Sequence, residues 1–124
     1  MLVLLVEDDP AVRAAFAKAL SQAGFDVAVA GDAPAALSQL HKKPDALVCD
    51  FCLPGVDGST FYHRVEETHP ELAERVVFVT GWIGDKNTRN LLAHTTRPVL
   101  RKPVEVYDLI NAVRAVSTQP ARSE

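Results

Sequence analysis

Acidic side chains follow two of the most apolar stretches of the chain. Glu7 and Asp8 come directly after the run Leu2–Val6, and Asp50 follows the run Ala46–Cys49. Carboxylates that lie close together repel one another, so either some of them bind protons or a cation sits between them. All-oxygen ligands suit a hard divalent ion such as Mg²⁺, or Mn²⁺ in its place. The acids therefore predict a metal site, provided that the fold brings these runs together.

A hydroxyl and an amine follow two later apolar runs, at Thr80 and Lys102. Phosphoryl transfer needs little beyond positioning and neutralisation of the charge on the equatorial oxygens. The metal ion, the Lys102 ammonium and the Thr80 hydroxyl would each hold one of these oxygens, and Asp50 would be the nucleophile. Cys52, two residues beyond Asp50, offers its backbone carbonyl as a further candidate metal ligand. These residue types together indicate phosphoryl transfer onto an aspartate.

Apolar runs and amphipathic segments alternate along the chain. The runs predict five buried strands, at Leu2–Val6, Phe25–Ala30, Ala46–Cys49, Val76–Val79 and Pro98–Leu100. Helices are predicted from the Asp9 cap to Gly24, from the Asp32 cap to Lys42–Pro44, over Ser59–Thr68 up to Pro70, over Asp85–His94, and over Val106–Val116. Such alternation favours an α/β fold with a parallel sheet and helices on both faces, and the second strand is expected at an edge of the sheet. The polar residues that end the strands would then converge at the carboxyl edge of the sheet.

Length and composition describe one domain with a substantial core. The chain has 124 residues, 48% of them hydrophobic, and a net charge of −3. We predict one domain over residues 1–116 and a polar tail or the start of a linker over 117–124. The charge gives no support for binding to nucleic acid or to a membrane surface, and no apolar run approaches the ~20 residues of a membrane helix. Two cysteines and no basic leader favour a reduced, cytoplasmic setting.

Four motifs, LLVEDD, LVCDFCLPGVDG, VFVTG and VLRKPV, occur in the order and at the spacing of one known family. With them the chain resembles the receiver domains of two-component response regulators, from about Leu2 to Val116. The resemblance implies a flavodoxin-like fold, a doubly wound five-stranded parallel sheet in the strand order 2-1-3-4-5. The resemblance implies a phosphorylation-switched signalling module that accepts its phosphoryl group from a histidine kinase or a histidine phosphotransfer protein. Such a module catalyses only its own phosphorylation and dephosphorylation, and it changes its surface toward a downstream protein or an attached domain. The stretch VTG…RPVLRKP is more similar to receivers of hybrid sensor kinases, or to free-standing ones, than to those of winged-helix regulators.

Residue roles follow from the resemblance by position. It implies that Asp50 is the phospho-acceptor, that Asp8 is the direct metal ligand, and that Glu7 acts through water. Thr80 matches the switch hydroxyl and Lys102 the family's lysine, with a cis peptide expected between Lys102 and Pro103. One position departs from the family, because Val99 stands where Tyr or Phe is common.

Three other functions compete with this interpretation. A Mg²⁺-dependent phosphohydrolase with an aspartate nucleophile generally has a second acid two residues further on, where this chain has Cys52. A flavodoxin-like cofactor binder needs a hydroxyl- and glycine-rich loop after the first strand, where acids stand here. A pseudo-receiver that only docks would not need the complete set of acids, hydroxyl and amine.

Several conspicuous residues have simpler interpretations. Asp9 and Asp32 are expected to be helix N-caps rather than ligands. Cys49 and Cys52 have the spacing of a redox motif, but a core residue and a loop residue are favoured because the pair straddles Asp50. The histidines have no metal-ligand spacing and are predicted to lie at the surface.

Overall fold

A computed structural model describes residues 1–50, 58–81 and 86–117, and its centre is a parallel sheet of five strands. The strands are Leu2–Val6 (β1), Asp26–Ala30 (β2), Ala46–Asp50 (β3), Val76–Thr80 (β4) and Val99–Arg101 (β5). Their order is β2-β1-β3-β4-β5, and every neighbouring pair is parallel. The predicted flavodoxin-like order is confirmed, with β2 at one edge.

Helices cover both faces of the sheet. They are Pro10–Gln22 (α1), Ala33–Leu37 (α2), Gly58–Thr68 (α3), Pro70–Ala73 (α4), Lys86–His94 (α5) and Val106–Ser117 (α6). Successive side chains of a strand point to opposite faces. Leu4 and Val6 accordingly pack in one buried cluster with Phe61 of α3, while Val3 and Leu5 pack in another with residues of α1 and α6.

The middle strands β1, β3 and β4 are almost completely enclosed between these layers. Full burial of one Val, Leu or Phe side chain stabilises the fold by about 1.5–3 kcal/mol. That is why these strands are nearly continuous apolar runs, and why a polar residue at the end of one of them needs a separate explanation.

Both predicted caps are confirmed. The Asp9 carboxylate accepts hydrogen bonds from the amides of Ala11 and Val12, which have no partner within the first turn of α1. The Asp32 carboxylate does the same for the amide of Ala35 in α2. Gly24 follows α1 with a φ of 102°, a left-handed conformation that costs glycine little.

The helix predicted to run from Asp32 to Lys42 is wrong in its extent. In the structure α2 ends at Leu37, and a separate 3₁₀ turn covers Leu40–Lys42. The side chain of Ser38 donates to the carbonyl of Ala35, and the side chain of Gln39 donates to Val29 of β2. Local bonds of this kind compete with the regular helical pattern.

The predicted end of the third helix before Pro70 is confirmed, because α3 ends at Thr68. Pro70 has a second role that the sequence pattern does not predict, since it begins the short helix α4. Proline suits the first helical position because its missing N–H would have no intrahelical partner there.

Strand bounds shift by one residue at functionally relevant points. The third and fourth strands extend to Asp50 and Thr80, one residue beyond the predicted ends. The fifth begins at Val99 rather than at Pro98, whose carbonyl nevertheless accepts a hydrogen bond from the amide of Phe78.

In the described part of the chain, the helices lack the combination of length and apolar composition that crossing a bilayer requires. The first residue of the predicted tail, Ser117, still belongs to α6, and the division at 116 stays a prediction.

Candidate functional site

The carboxyl ends of the strands bring the predicted site residues to one edge of the sheet. Asp50 and Thr80 are the last residues of β3 and β4, and Glu7 and Lys102 directly follow β1 and β5. The amide of Lys102 donates to the carbonyl of Thr80 at 2.8 Å, which aligns the end of β5 with that of β4. Parallel pairing thus collects residues that are up to 95 positions apart, from 7 to 102.

Three carboxylates share this edge. One ligand oxygen from each of Glu7, Asp8 and Asp50 lies within 4.8 Å of the other two. Glu7 and Asp50 are each only 1% exposed, whereas Asp8 is exposed. Burial, together with the neighbouring Asp50 carboxyl, raises the pKa of Glu7 to about 7, although Lys102 and the Asp9 amide act in the opposite direction. The cluster therefore holds more negative charge than its surroundings solvate, which favours binding of a cation.

Lys102 places an ammonium group against two of these acids. Its Nζ lies 2.8 Å from Oε1 of Glu7 and 3.1 Å from Oδ2 of Asp50. Partial burial lowers the pKa of Lys102, but the hydrogen bonds to Glu7 and Asp50 outweigh that effect, and the pKa is raised overall. The side chain thus stays a fixed positive charge beside Asp50.

The hydroxyl of Thr80 is buried without a hydrogen-bond partner among the described residues. Thr80 is only 2% exposed, and its Oγ1 is one of two buried side-chain oxygens in the described ranges that lack such a bond. The other is Oε1 of Glu7, which lies 2.8 Å from the Lys102 ammonium and is therefore compensated by charge. Buried polar atoms of proteins are normally paired, so a hydroxyl that has no partner in the described part of the chain is suited to bind an oxygen atom of a ligand.

The donor set fits a hard divalent cation. Its members are carboxylate oxygens, one of them on the exposed Asp8, and Mg²⁺ binds proteins through one or two carboxylates while it keeps several waters. The proposed fourth contributor, the backbone carbonyl of Cys52, lies outside the described residues.

The simpler interpretations of neighbouring residues hold where the structure describes them. Asp9 is the N-cap of α1, and its amide donates to Oε2 of Glu7 at 3.1 Å. Cys49 is a fully buried core residue, and burial raises the pKa of its thiol, which opposes thiolate chemistry. The peptide between Lys102 and Pro103 is cis, as predicted.

The sequence did not single out one residue that contacts this edge. Nη1 of Arg13, in α1, donates to the backbone carbonyl of Glu7 at 3.0 Å. An arginine one turn into a helix is ordinary in a sequence, and only the packing of α1 beside the end of β1 shows which carbonyl it meets. Its closeness to the acids in the chain was the one available signal.

Comparison with known proteins shows one family over nearly the whole chain. The family model of the response regulator receiver domain matches residues 3–114. The response regulator receiver protein CpdR of Brucella abortus is 31% identical over 112 residues, which are 90% of this chain and 92% of that protein. The sensor kinase CckA of the same organism is 35% identical over 115 residues, which are 90% of this chain but only 12% of the kinase.

Solved structures agree in fold. A CheY-like receiver domain protein from Methanospirillum hungatei aligns with a TM-score of 0.83 at 22% identity, over 94% of this chain and 92% of the other. The receiver domain of a Francisella response regulator aligns with a TM-score of 0.79 at 22% identity, over 94% and 95% of the two chains.

Proposed function

The chain belongs to the response regulator receiver family, and we propose that it is a phosphorylation-switched signalling module that accepts a phosphoryl group on Asp50. One observation carries the proposal. The buried Asp50 carboxylate lies beside two other acids and a lysine ammonium, and the next strand ends in a buried hydroxyl that has no partner among the described residues. A role in folding alone would not call for this combination, because burial of carboxylates and hydroxyls costs stability.

We assign metal binding to the three carboxylates and to Cys52. Asp8 and Asp50 would bind Mg²⁺ directly, Glu7 through water, and Cys52 through its backbone carbonyl, with Mn²⁺ as an alternative ion. When bound, the ion would offset the negative charge of the cluster and of a phosphoryl oxygen. The support in this chain is the set of three acids within ligand distance of one another and the raised pKa of Glu7.

The remaining chemistry belongs to this chain's own groups. An oxygen of Asp50 attacks the phosphorus of a phosphohistidine, the P–N bond breaks, and the imidazole nitrogen keeps the bonding electrons. Lys102, already 3.1 Å from Asp50, shifts to bind a phosphoryl oxygen. Thr80 gains the hydrogen-bond acceptor that it lacks among the described residues, and this new bond pulls on the end of β4.

The new charge then biases the conformation of the surface. We propose that the phosphoryl donor is a histidine kinase or a histidine phosphotransfer protein, and that the recipient of the signal is a downstream protein or an attached domain. Relatives of both architectures are among those that match, one a receiver protein of similar length and one a much longer sensor kinase. The predicted cytoplasmic location, the absence of a nucleic-acid or membrane partner, and the absence of a separate substrate stay predictions.

Mass spectrometry of the intact protein tests the assignment. The protein is incubated with Mg²⁺ and a small acyl phosphate, and we expect one phosphoryl adduct that disappears when the metal is chelated. Asp50→Asn should give none, whereas Asp26→Asn, which removes an exposed carboxylate at the start of β2, should behave like the parent. An adduct on Asp50→Asn, or none on the parent, would overturn the proposed role of Asp50.

A further inference from the structure

Arg13 makes a contact that the proposed chemistry does not use. Its side chain reaches back from α1, and Nη1 donates to the carbonyl of Glu7 at 3.0 Å. The guanidinium thus binds the main chain beside the acids, whereas Lys102 binds two of the carboxylates. This contact of Arg13 is therefore with the main chain of the segment that carries Glu7 and Asp8, and not with a carboxylate that could bind a metal ion.

Gly31 provides the space that this guanidinium occupies. A Cβ built on Gly31 would lie 2.8 Å from Nη1 of Arg13, which is closer than real Cβ atoms approach. Gly31 is not among the glycines with positive φ in the described residues, so its backbone does not itself require glycine. The nearest atoms to that Cβ all belong to the tip of Arg13, so an added methyl group would displace this flexible side chain rather than the backbone.

The hydrogen bonds of Arg13 lie on both sides of Asp8. Its backbone amide donates to the carbonyl of Asp9 at 2.8 Å, and its side chain donates to the carbonyl of Glu7. Glu7 is also held from β2, because its amide donates to the carbonyl of Ala30 at 3.0 Å. The segment that carries the two leading acids is thus tied to α1 and to β2, and the guanidinium lies between these two elements.

We infer that Arg13 is a positioning residue for the metal site, lodged against Gly31 so that it holds the Glu7 carbonyl and with it the acid pair. The inference rests on the proposed function. Hydrogen-bond partners that orient metal ligands typically change metal affinity by about 10- to 100-fold when they are removed. A single neutral acceptor and a part-exposed site place this case near the lower end, at about tenfold.

The direction of the change in Mg²⁺ affinity distinguishes a loss of positioning from a loss of positive charge. Removing a cation near acidic ligands should by electrostatics alone tighten the binding of a divalent cation. Loss of positioning should weaken it. Arg13→Met should therefore raise the Mg²⁺ dissociation constant, measured by calorimetry, whereas Lys18→Met, which removes an exposed cation from the same helix, should leave it unchanged or lower it.

Gly31→Ala repeats the test while it keeps every charge. It should raise the Mg²⁺ dissociation constant to a similar extent, and the double variant Arg13→Met/Gly31→Ala should be no weaker than Arg13→Met alone, because both changes break the same hydrogen bond. In the metal-free protein both single variants should also speed hydrogen exchange at the amides of Glu7 and Asp9. If Arg13→Met does not fold, Gly31→Ala carries the test by itself.

The outcomes distinguish this inference from the proposed function. A parent protein that binds no Mg²⁺ and takes no phosphoryl group would overturn the function, and the inference with it. If the parent does both, unchanged or tighter Mg²⁺ binding in Arg13→Met and Gly31→Ala would overturn the inference alone. Additive losses in the double variant would do so as well, since Gly31 would then act independently of the guanidinium.

Discussion

Polar side chains at the two ends of the sheet differ in how many of their hydrogen-bond and charge partners the protein supplies. At the amino end, where the strands begin, Asp45 accepts from the amide of Leu2 at 2.8 Å, and the hydroxyl of Tyr62 donates to the carbonyl of Ala73 at 3.0 Å. Arg97 and Glu74 form an ion pair near the starts of β5 and β4. At the carboxyl end, three acids crowd together and a buried hydroxyl lacks a partner among the described residues.

Under the proposed function, this difference separates groups that stabilise the fold from groups that bind a ligand. A buried polar group with a partner roughly balances its desolvation, while an unpaired one costs about 1–3 kcal/mol. The amino end therefore behaves as part of the scaffold. Under the proposed function, the carboxyl end gives up stability in the free protein, and a bound cation and phosphoryl group would restore it.

Removal of Lys102 should have the largest effect on stability. Lys102→Met leaves Glu7 and Asp50 without their ammonium partner, and breaking a largely buried pair in this way should lower the free energy of unfolding by about 3 kcal/mol. Urea unfolding without metal measures the loss, and saturating Mg²⁺ should recover part of it. Lys18→Met serves as the exposed control. If Lys102→Met without metal is as stable as the parent, the ammonium group does not offset repulsion between the acids at this end of the sheet.

Removal of the Tyr62 hydroxyl should have the next largest effect, at the amino end. Tyr62 is 7% exposed, and Tyr62→Phe leaves the carbonyl of Ala73 without this donor, so we expect a loss of about 2 kcal/mol. Added Mg²⁺ should stabilise this variant as much as it stabilises the parent. Tyr107→Phe is the matched control because that ring is 74% exposed, and its stability should not change. Equal stabilities for the two variants would contradict a scaffold role for the amino end.

Replacement of Thr80 should have the smallest effect and the opposite sign. Thr80→Val removes a buried hydroxyl that is unpaired among the described residues, so the free energy of unfolding should rise by about 1 kcal/mol. The same variant should form the Asp50 adduct more slowly, since a phosphoryl oxygen loses its hydroxyl donor. Thr80→Ser keeps the hydroxyl and should retain adduct formation. A Thr80→Val protein that is less stable than the parent would mean that the hydroxyl already has a good partner.

Much of the fold could be predicted because strands buried on both faces are apolar without interruption. The runs ending near Val6, Cys49 and Val79 needed no tertiary information to be identified as central strands. The segment after Asp32 was harder, since its alanines and leucines fit a longer helix. Side-chain bonds of Ser38 and Gln39, the latter to a strand elsewhere in the chain, decided where α2 ends.

The sequence predicted which residues belong to the candidate site, but it did not predict their burial, their pKa shifts or their ion pairs. Residue types at strand ends pointed to Glu7, Asp8, Asp50, Thr80 and Lys102, and parallel pairing brings strand ends to one edge. Their roles in phosphoryl transfer stay predictions. Burial of Glu7, its pKa of about 7 and the two contacts of Lys102 depend on how densely the surrounding elements pack.

By itself, the sequence determined which residues end the strands and which family the chain resembles, because both are encoded in local patterns of residue type. Only the tertiary structure decided which polar atoms find partners. Hydrogen bonding over a few ångströms depends on side-chain directions from separate elements, as when Arg13 passes over Gly31 to reach Glu7. No spacing along the chain records those directions.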